Sequence, residues 1–281
     1  MSRSYCVLGE SLKHTMSPPI HKRLFDLKTR EFIYDVVELK PEELSEKINE
    51  LNSKSGYNIT IPHKIGIIPF LDELDETAKR YGAVNCVDIK NGRSKGFNTD
   101  VDGFLRSLSS AKIELLGNIL LVGSGGVGRM MAIETARAGA KLTIAVIEQA
   151  LSEAQKVKSD ILSICPDAEV KVITIDEISG SFDLLMNATP VGMYPKTDAC
   201  VVSDEVIKNC CAVFDVIYNP RETLLMKKAK QAGITTVGGM AMLVWQAVSA
   251  HEIWDNDYYT DDEVFEIIRE MEDAVARDFP V

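Results

Sequence analysis

The stretch Asn118-Ile119-Leu120-Leu121-Val122 runs without a break into Gly123-Ser124-Gly125-Gly126-Val127-Gly128. Its apolar half reads as a buried strand, and the residues from Gly128 to Ala138 read as a helix. Gly123, Gly125 and Gly128 thus match G-x-G-x-x-G between a strand and a helix, the setting in which that spacing has a mechanism. The first glycine permits a tight turn, the second lets backbone approach a pyrophosphate, and the third lets helix and strand pack closely. Free N–H groups at the helix N-terminus then face the phosphates, which makes Gly123, Ser124, Gly125, Gly126, Val127 and Gly128 the expected dinucleotide cradle. Glu148 follows Gly128 at the end of the next strand, Lys141 to Ile147. A carboxylate there accepts hydrogen bonds from the adenine ribose and repels a 2′-phosphate, while Gln149 and Ala150 bring no positive charge. These residues favour NAD over NADP; the alternative reading of Glu148 is a solvated residue at a strand end.

Strand-like and helix-like runs alternate on both sides of this turn, which predicts an α/β protein with mostly parallel sheets. Before it, strands are predicted at Tyr5–Leu8, Phe32–Glu38 and Tyr57–Ile61. Helices are predicted from Ser17-Pro18, with the serine as N-cap and the proline at N1, and from Pro41. After the turn come strands at Lys141–Ile147, Glu169–Thr174, Phe182–Met186 and Ala212–Ile217. Residues 240–254 and the stripe Val264, Ile268, Met271 and Val275 predict two terminal helices with no strand after them. They are expected to pack back on the first domain. The expected division is residues 1–102 with 239–281 as a substrate-binding domain and residues 103–238 as a Rossmann-type dinucleotide-binding domain.

Composition excludes several classes. A chain of 281 residues, 46% hydrophobic and 26% charged, has ample material for buried cores. No run of about 18 apolar residues is present, and the N-terminus lacks a long apolar stretch, so a cytoplasmic protein with no membrane span is expected. The formal charge of −11 and the absence of a basic block argue against nucleic acid as a partner. That charge is local: residues 255–281 carry ten acidic side chains against Arg269 and Arg277. The six cysteines form no CxxC pair and no zinc-like spacing with the four histidines, so reduced thiols and no metal site are expected.

Four polar segments read as strand ends or loops, where sites are built: His14-Thr15-Met16-Ser17-Pro18, Asn58-Ile59-Thr60-Ile61-Pro62-His63-Lys64, Ala83-Val84-Asn85-Cys86 and Asn98-Thr99-Asp100. Each has a plainer reading. Ser17 and Asp100 could cap helices, and Asn58 and Asn85 could be turn residues. Hydroxyls and amides without a nearby arginine suit a small polyol acid held by many short hydrogen bonds.

In their order and detail these segments resemble the shikimate dehydrogenase family, which includes quinate/shikimate dehydrogenases. The resemblance extends through Asn187-Ala188-Thr189-Pro190-Val191-Gly192-Met193, Asp215-Val216-Ile217-Tyr218-Asn219-Pro220 and Gly239 to Gln246, nearly the whole chain. It implies hydride exchange between a nicotinamide cofactor and the ring C3 hydroxyl of shikimate, with Lys64 as the proton-transferring lysine and Asp100 as its partner. It places Thr15, Ser17, Thr60, Asn85, Tyr218 and Gln246 around the substrate, the first two and Tyr218 toward its carboxylate. Asn85, Asp100 and Gln246 face its hydroxyls. Thr189, Val191, Met193, Val216 and Gly239 border the nicotinamide. The expected partner is thus a small anionic acid, shikimate or quinate, bound by a monomer or homodimer. A relative acting on a modified shikimate, or one that senses nucleotide without catalysis, is the alternative. Two departures stand out. Thr15 replaces the usual serine, and Glu148-Gln149-Ala150 stands where NADP-using members usually carry Asn-Arg-Thr, which again points to NAD.

Overall fold

The computed structural model describes residues 3–13 and 15–279; His14, part of one polar segment above, lies outside them. The chain divides into two compact units, Met1–Gly103 with Leu243–Met271, and Phe104–Met242 with Glu272–Val281. Up to residue 110 the elements are β1 (Arg3–Gly9), α1 (Ser17–Leu27), β2 (Phe32–Glu38), α2 (Leu44–Leu51), β3 (Gly56–Ile59), α3 (His63–Gly66), β4 (Glu73–Leu74), α4 (Glu76–Tyr81), β5 (Cys86–Lys90), β6 (Arg93–Phe97) and α5 (Asp100–Ser110). The six strands form one sheet in the order β2-β1-β3-β5-β6-β4.

In this sheet β1 pairs in parallel with β2 and β3, whereas β5 runs antiparallel to both β3 and β6. The sheet is therefore mixed, with β4 parallel to β6 as well, which keeps it mostly parallel as predicted, and the antiparallel part begins at a local signal. Asn91 and Gly92 join β5 to β6 with φ of 54° and 73°. Two successive positive φ angles make the tight turn whose twist matches a hairpin, and Asn-Gly is the pair that adopts it most readily. A core of Leu8, Tyr57, Ile59, Val84 and Val87 lies on this sheet. β1 is buried from Tyr5 to Gly9, as a strand covered on both faces must be.

The next elements are β7 (Asn118–Val122), α6 (Gly126–Arg137), β8 (Lys141–Val146), α7 (Leu151–Ile164), β9 (Val170–Thr174), β10 (Leu184–Asn187), α8 (Asp204–Lys208), β11 (Ala212–Asp215), α9 (Leu224–Gln231) and β12 (Thr235–Val237). Their sheet has the order β12-β11-β10-β7-β8-β9 and every pairing is parallel. This is the Rossmann order. The strand sequence reverses between β7 and β10, whose last residues Val122 and Asn187 are register partners. At such a reversal the loops after the two strands part in opposite directions and leave a crevice for a ligand.

Two helices end the chain, α10 (Gly239–Asp255) and α11 (Asp261–Asp278). α10 packs on the first sheet, while α11 is divided between the units, its residues up to Met271 with the first and those from Glu272 with the second. Trp254 stacks on Tyr5 with ring centroids 4.5 Å apart, and its Nε1 donates to the Val87 carbonyl at 2.9 Å. A side chain at Gly56 would run into that indole. On α11 the predicted stripe Val264, Ile268, Met271 and Val275 is buried. Among the described residues no helix is long and apolar enough to cross a membrane.

Candidate functional site

In the first unit, four of the expected residues are joined directly. Lys64 lies on α3, the single turn that follows Thr60 and Pro62, and Asp100 opens α5. Lys64 Nζ donates to Asp100 Oδ2 at 2.6 Å, with the two side chains 23% and 16% exposed. Asn85 Nδ2 donates to the other carboxylate oxygen, Oδ1, at 2.9 Å, and lies 3.3 Å from Gln246 Oε1. Backbone bonds fix the frame: Val84 N–H donates to the Lys64 carbonyl at 2.8 Å, and Thr60 N–H to the Leu8 carbonyl at 2.8 Å. His63, buried beside the lysine, bonds through Nε2 to the Leu39 carbonyl at 2.7 Å. An ammonium donates three protons, so the bond to Asp100 leaves two on Lys64 for a ligand oxygen.

Thr99 belongs to this network, although the sequence placed it only in a polar segment and gave it no role of its own. Its N–H donates to Asn85 Oδ1 at 2.6 Å, and its hydroxyl lies 3.0 Å from Asn85 Nδ2 and 3.4 Å from Gln246 Oε1. Residue adjacency to Asp100 was the available signal. The reach from Asn85 to α10 spans 161 positions and had none.

Thr15 and Ser17 adjoin each other. Thr15 Oγ1 accepts the Ser17 N–H at 3.3 Å, which leaves the threonine hydroxyl proton free to donate. Ser17 was a candidate N-cap, but Met16 holds that position and makes no side-chain cap bond, while Ser17 is the first helical residue. The serine hydroxyl is therefore not consumed by the backbone. Thr60 is half-buried beside Gly9, where an added Cβ would lie 2.8 Å from the threonine methyl.

In the second unit, Gly123 has φ of +99°, which a side chain resists, and starts the turn after β7. A Cβ on Gly128 would lie 2.6 Å from the Gly123 carbonyl oxygen, so only glycine lets α6 begin so close to the strand. Gly125 and Gly126 differ: a Cβ on either meets nothing within 4 Å. No protein atom requires glycine at those two positions. The open space beside backbone N–H groups at the start of the twelve-residue α6 fits a pyrophosphate. Ser124 and Val127 complete the turn, both partly exposed.

The loop after β10 is built around a buried carboxylate. Asn187 Oδ1 accepts from the N–H and the hydroxyl of Thr189 at 3.0 and 2.7 Å. Asn187 Nδ2 donates to Asp215 Oδ1 at 3.0 Å, which also accepts the Ile217 N–H at 3.1 Å. Asp215 Oδ2 accepts the Thr223 hydroxyl at 2.7 Å. Burial pushes the Asp215 carboxyl up to about 6, against the hydrogen bonds from Thr223, Ile217 and Asn187. Asn187 and Asp215 face each other across β10 and β11 at the strands' C-terminal ends, a register that no sequence pattern displayed. Val191 and Met193 stand exposed on this loop. Val216 N–H donates to the Asn187 carbonyl at 3.1 Å, and a side chain on Gly239 would collide with the Val216 carbonyl. Burial raises the Tyr218 phenol above its ordinary range, so it is a proton-bearing donor. Glu148 stands apart: it opens a single turn after β8, with its side chain in solvent.

Residues 7–87 match the model of the shikimate dehydrogenase substrate binding domain. The chain is 33% identical over 274 residues to a shikimate dehydrogenase (NADP(+)) of Caldanaerobacter subterraneus, covering 95% of this chain and 97% of that protein. It is 36% identical over 270 residues to the shikimate dehydrogenase (NADP(+)) of Clostridium perfringens, covering 94% and 97%. Among solved structures it is similar to a shikimate dehydrogenase in complex with NADP+, with a TM-score of 0.89, 32% identity and 96% of each chain covered. These relatives overturn the expectation of NAD that was drawn from Glu148, Gln149 and Ala150. The structure supplies the physical reason: a solvent-exposed glutamate on a flexible side chain exerts a screened repulsion and can turn away from a phosphate. With similarity of this extent running through both units, the chain belongs to the shikimate dehydrogenase family.

Proposed function

We propose that the protein interconverts shikimate and 3-dehydroshikimate with NADP(H), using Lys64 to carry the hydroxyl proton. The observation that supports this best is the Lys64–Asp100 bond of 2.6 Å, held in a set with Asn85 and Gln246. The dinucleotide, when bound, accepts or donates the hydride at the ring carbon. Everything else falls to the chain. Reduction turns C=O into CH–OH, so an oxygen that gains negative charge must receive a proton as the carbon receives hydride. An ammonium aimed by Asp100 can give it, and oxidation returns the proton to the neutral amine. Asp100 orients Lys64 through Oδ2 while Asn85 occupies Oδ1, so the carboxylate is held from both sides. Asn85 and Gln246 then offer polar atoms to ring hydroxyls, and Thr15 and Ser17 offer hydroxyls to the carboxylate.

On the second unit, Gly123–Gly128 would hold the pyrophosphate on the α6 N-terminus, and the Thr189–Met193 loop, Val216 and Gly239 would border the nicotinamide. The direct test is NADPH formation from shikimate and NADP+ at mildly alkaline pH. Steady production supports the reading. Its absence with shikimate, under conditions where the purified protein is folded and binds NADP+, overturns it.

A further inference from the structure

We propose that His63 is a positioning residue: its imidazole fixes the turn that carries Lys64, so that the ammonium stands at a set distance from the hydroxyls that hold the substrate carboxylate. The proposal rests on the reading of Lys64 as the proton donor and of Thr15 and Ser17 as carboxylate ligands. α3 is four residues long, too short to keep its shape alone. It is held from two sides. On one, the Val84 N–H donates to the Lys64 carbonyl at 2.8 Å. On the other, the fully buried His63 ring meets the Leu39 carbonyl through Nε2 at 2.7 Å. A carbonyl only accepts, so Nε2 carries the proton and donates it. Leu39 is itself a fixed point, because its N–H donates to the Gly9 carbonyl at the end of β1 at 2.9 Å. Beside it, Glu38 Oε1 accepts the Leu12 N–H at 2.6 Å, and the Leu12 carbonyl accepts the Thr15 N–H at 3.1 Å.

The imidazole therefore closes a path of hydrogen bonds between the two ends of the substrate site. From the Lys64 turn the path runs through His63 to Leu39 and Glu38, and on through Leu12 to Thr15, whose hydroxyl adjoins Ser17. The substrate ring is rigid. With its carboxylate on Thr15 and Ser17, its C3 oxygen lies at a distance the ring dictates, and the lysine must stand at the matching distance to deliver a proton. Asp100 cannot ensure this alone. It restrains the tip of a long, flexible side chain, whereas His63 restrains the backbone from which that side chain starts. Binding shared among several hydroxyls and amides survives a small shift of the turn. Proton transfer does not, since a misplacement of about 1 Å can cost about a hundredfold in rate.

His63→Leu fills the buried space and removes the donor. The expected result is a kcat for shikimate oxidation lowered roughly tenfold to a hundredfold, with the KM for shikimate within about threefold and the Kd for NADP+ within about twofold of the wild type. His63→Gln and His63→Asn carry the same amide at different reach. The glutamine nitrogen extends as far as the imidazole Nε2, the asparagine nitrogen only as far as Nδ1. His63→Gln should therefore recover kcat to within about threefold of the wild type while His63→Asn does not, and this comparison decides the matter even if His63→Leu fails to fold. In a Lys64→Ala background His63→Leu should lower kcat no further, because the imidazole acts only through the lysine. An undiminished kcat in His63→Leu overturns the proposal, as do equal rates for His63→Gln and His63→Asn, or loss of the fold in all three variants. Undiminished turnover in Lys64→Ala removes the lysine assignment itself, and the positioning role with it.

Discussion

Two carboxylates in this chain occupy opposite electrostatic regimes, and their behaviour should differ accordingly. Asp215 is fully buried, and burial lifts its carboxyl from 3.8 to about 6. Its folded pKa lies above its unfolded one, so the folded state binds the proton more tightly. The stability it contributes is fully present below about pH 4 and is lost as pH rises through about 6. A shift of about two units corresponds to about 3 kcal/mol. Asp215→Asn cannot ionise, so urea unfolding should show the difference between variant and wild type moving in the variant's favour by that order between about pH 4 and pH 7. A difference that stays flat across this range would contradict the buried-carboxylate account. Glu148 stands in water, and its field is screened. Glu148→Ala should lower the KM for NADP+ by roughly twofold to fivefold and leave the KM for shikimate unchanged; a raised KM for NADP+ would show that the carboxylate assists the nucleotide instead.

At the level of elements, the glycine turn separates glycines that the protein's own packing requires from those that only the proposed nucleotide would require. Gly128→Ala places a methyl 2.6 Å from a backbone carbonyl oxygen that has no room to retreat. It should lower Tm and weaken NADP+ binding together. Gly125 has φ of −65° and open space around its missing Cβ, so Gly125→Ala should leave Tm within about 2 °C while raising the Kd for NADP+ at least tenfold. Equal effects of both variants on Tm would remove the distinction. This turn was legible because its chemistry is local: strand, glycines and helix are consecutive. The β5–β6 hairpin was equally local, since Asn91-Gly92 stands in the sequence, yet it was passed over. Ser17 was misplaced by one position as a cap, an error that matters because the observed position leaves its hydroxyl available.

Across the whole molecule, the alternation of strands and helices carried the α/β class and the Rossmann order of the second sheet, because each parallel crossover is written as one strand–helix–strand run. The contacts that build the site were not written that way. Lys64 and Asp100 are 36 residues apart, Asn85 and Gln246 161, and His63 and Leu39 24. Spacing says nothing about such pairs; family resemblance supplied the first and, for the second, only that both residues lie around the substrate. It did not supply the Asn187–Asp215 bond or the His63–Leu39 bond, which depend on strand register and on how the segments after the strands pack. The net charge of −11 proved a poor guide to ligands, since both proposed ligands are anions held by local donors. The most direct measurement is the rate of NADPH formation from shikimate by the wild type and by Lys64→Ala, alongside the Kd for NADP+ of each. The predicted result is a fall in kcat of about a hundredfold to ten-thousandfold with the Kd changed by less than about threefold. Undiminished turnover in Lys64→Ala would contradict the assignment of proton transfer to this lysine.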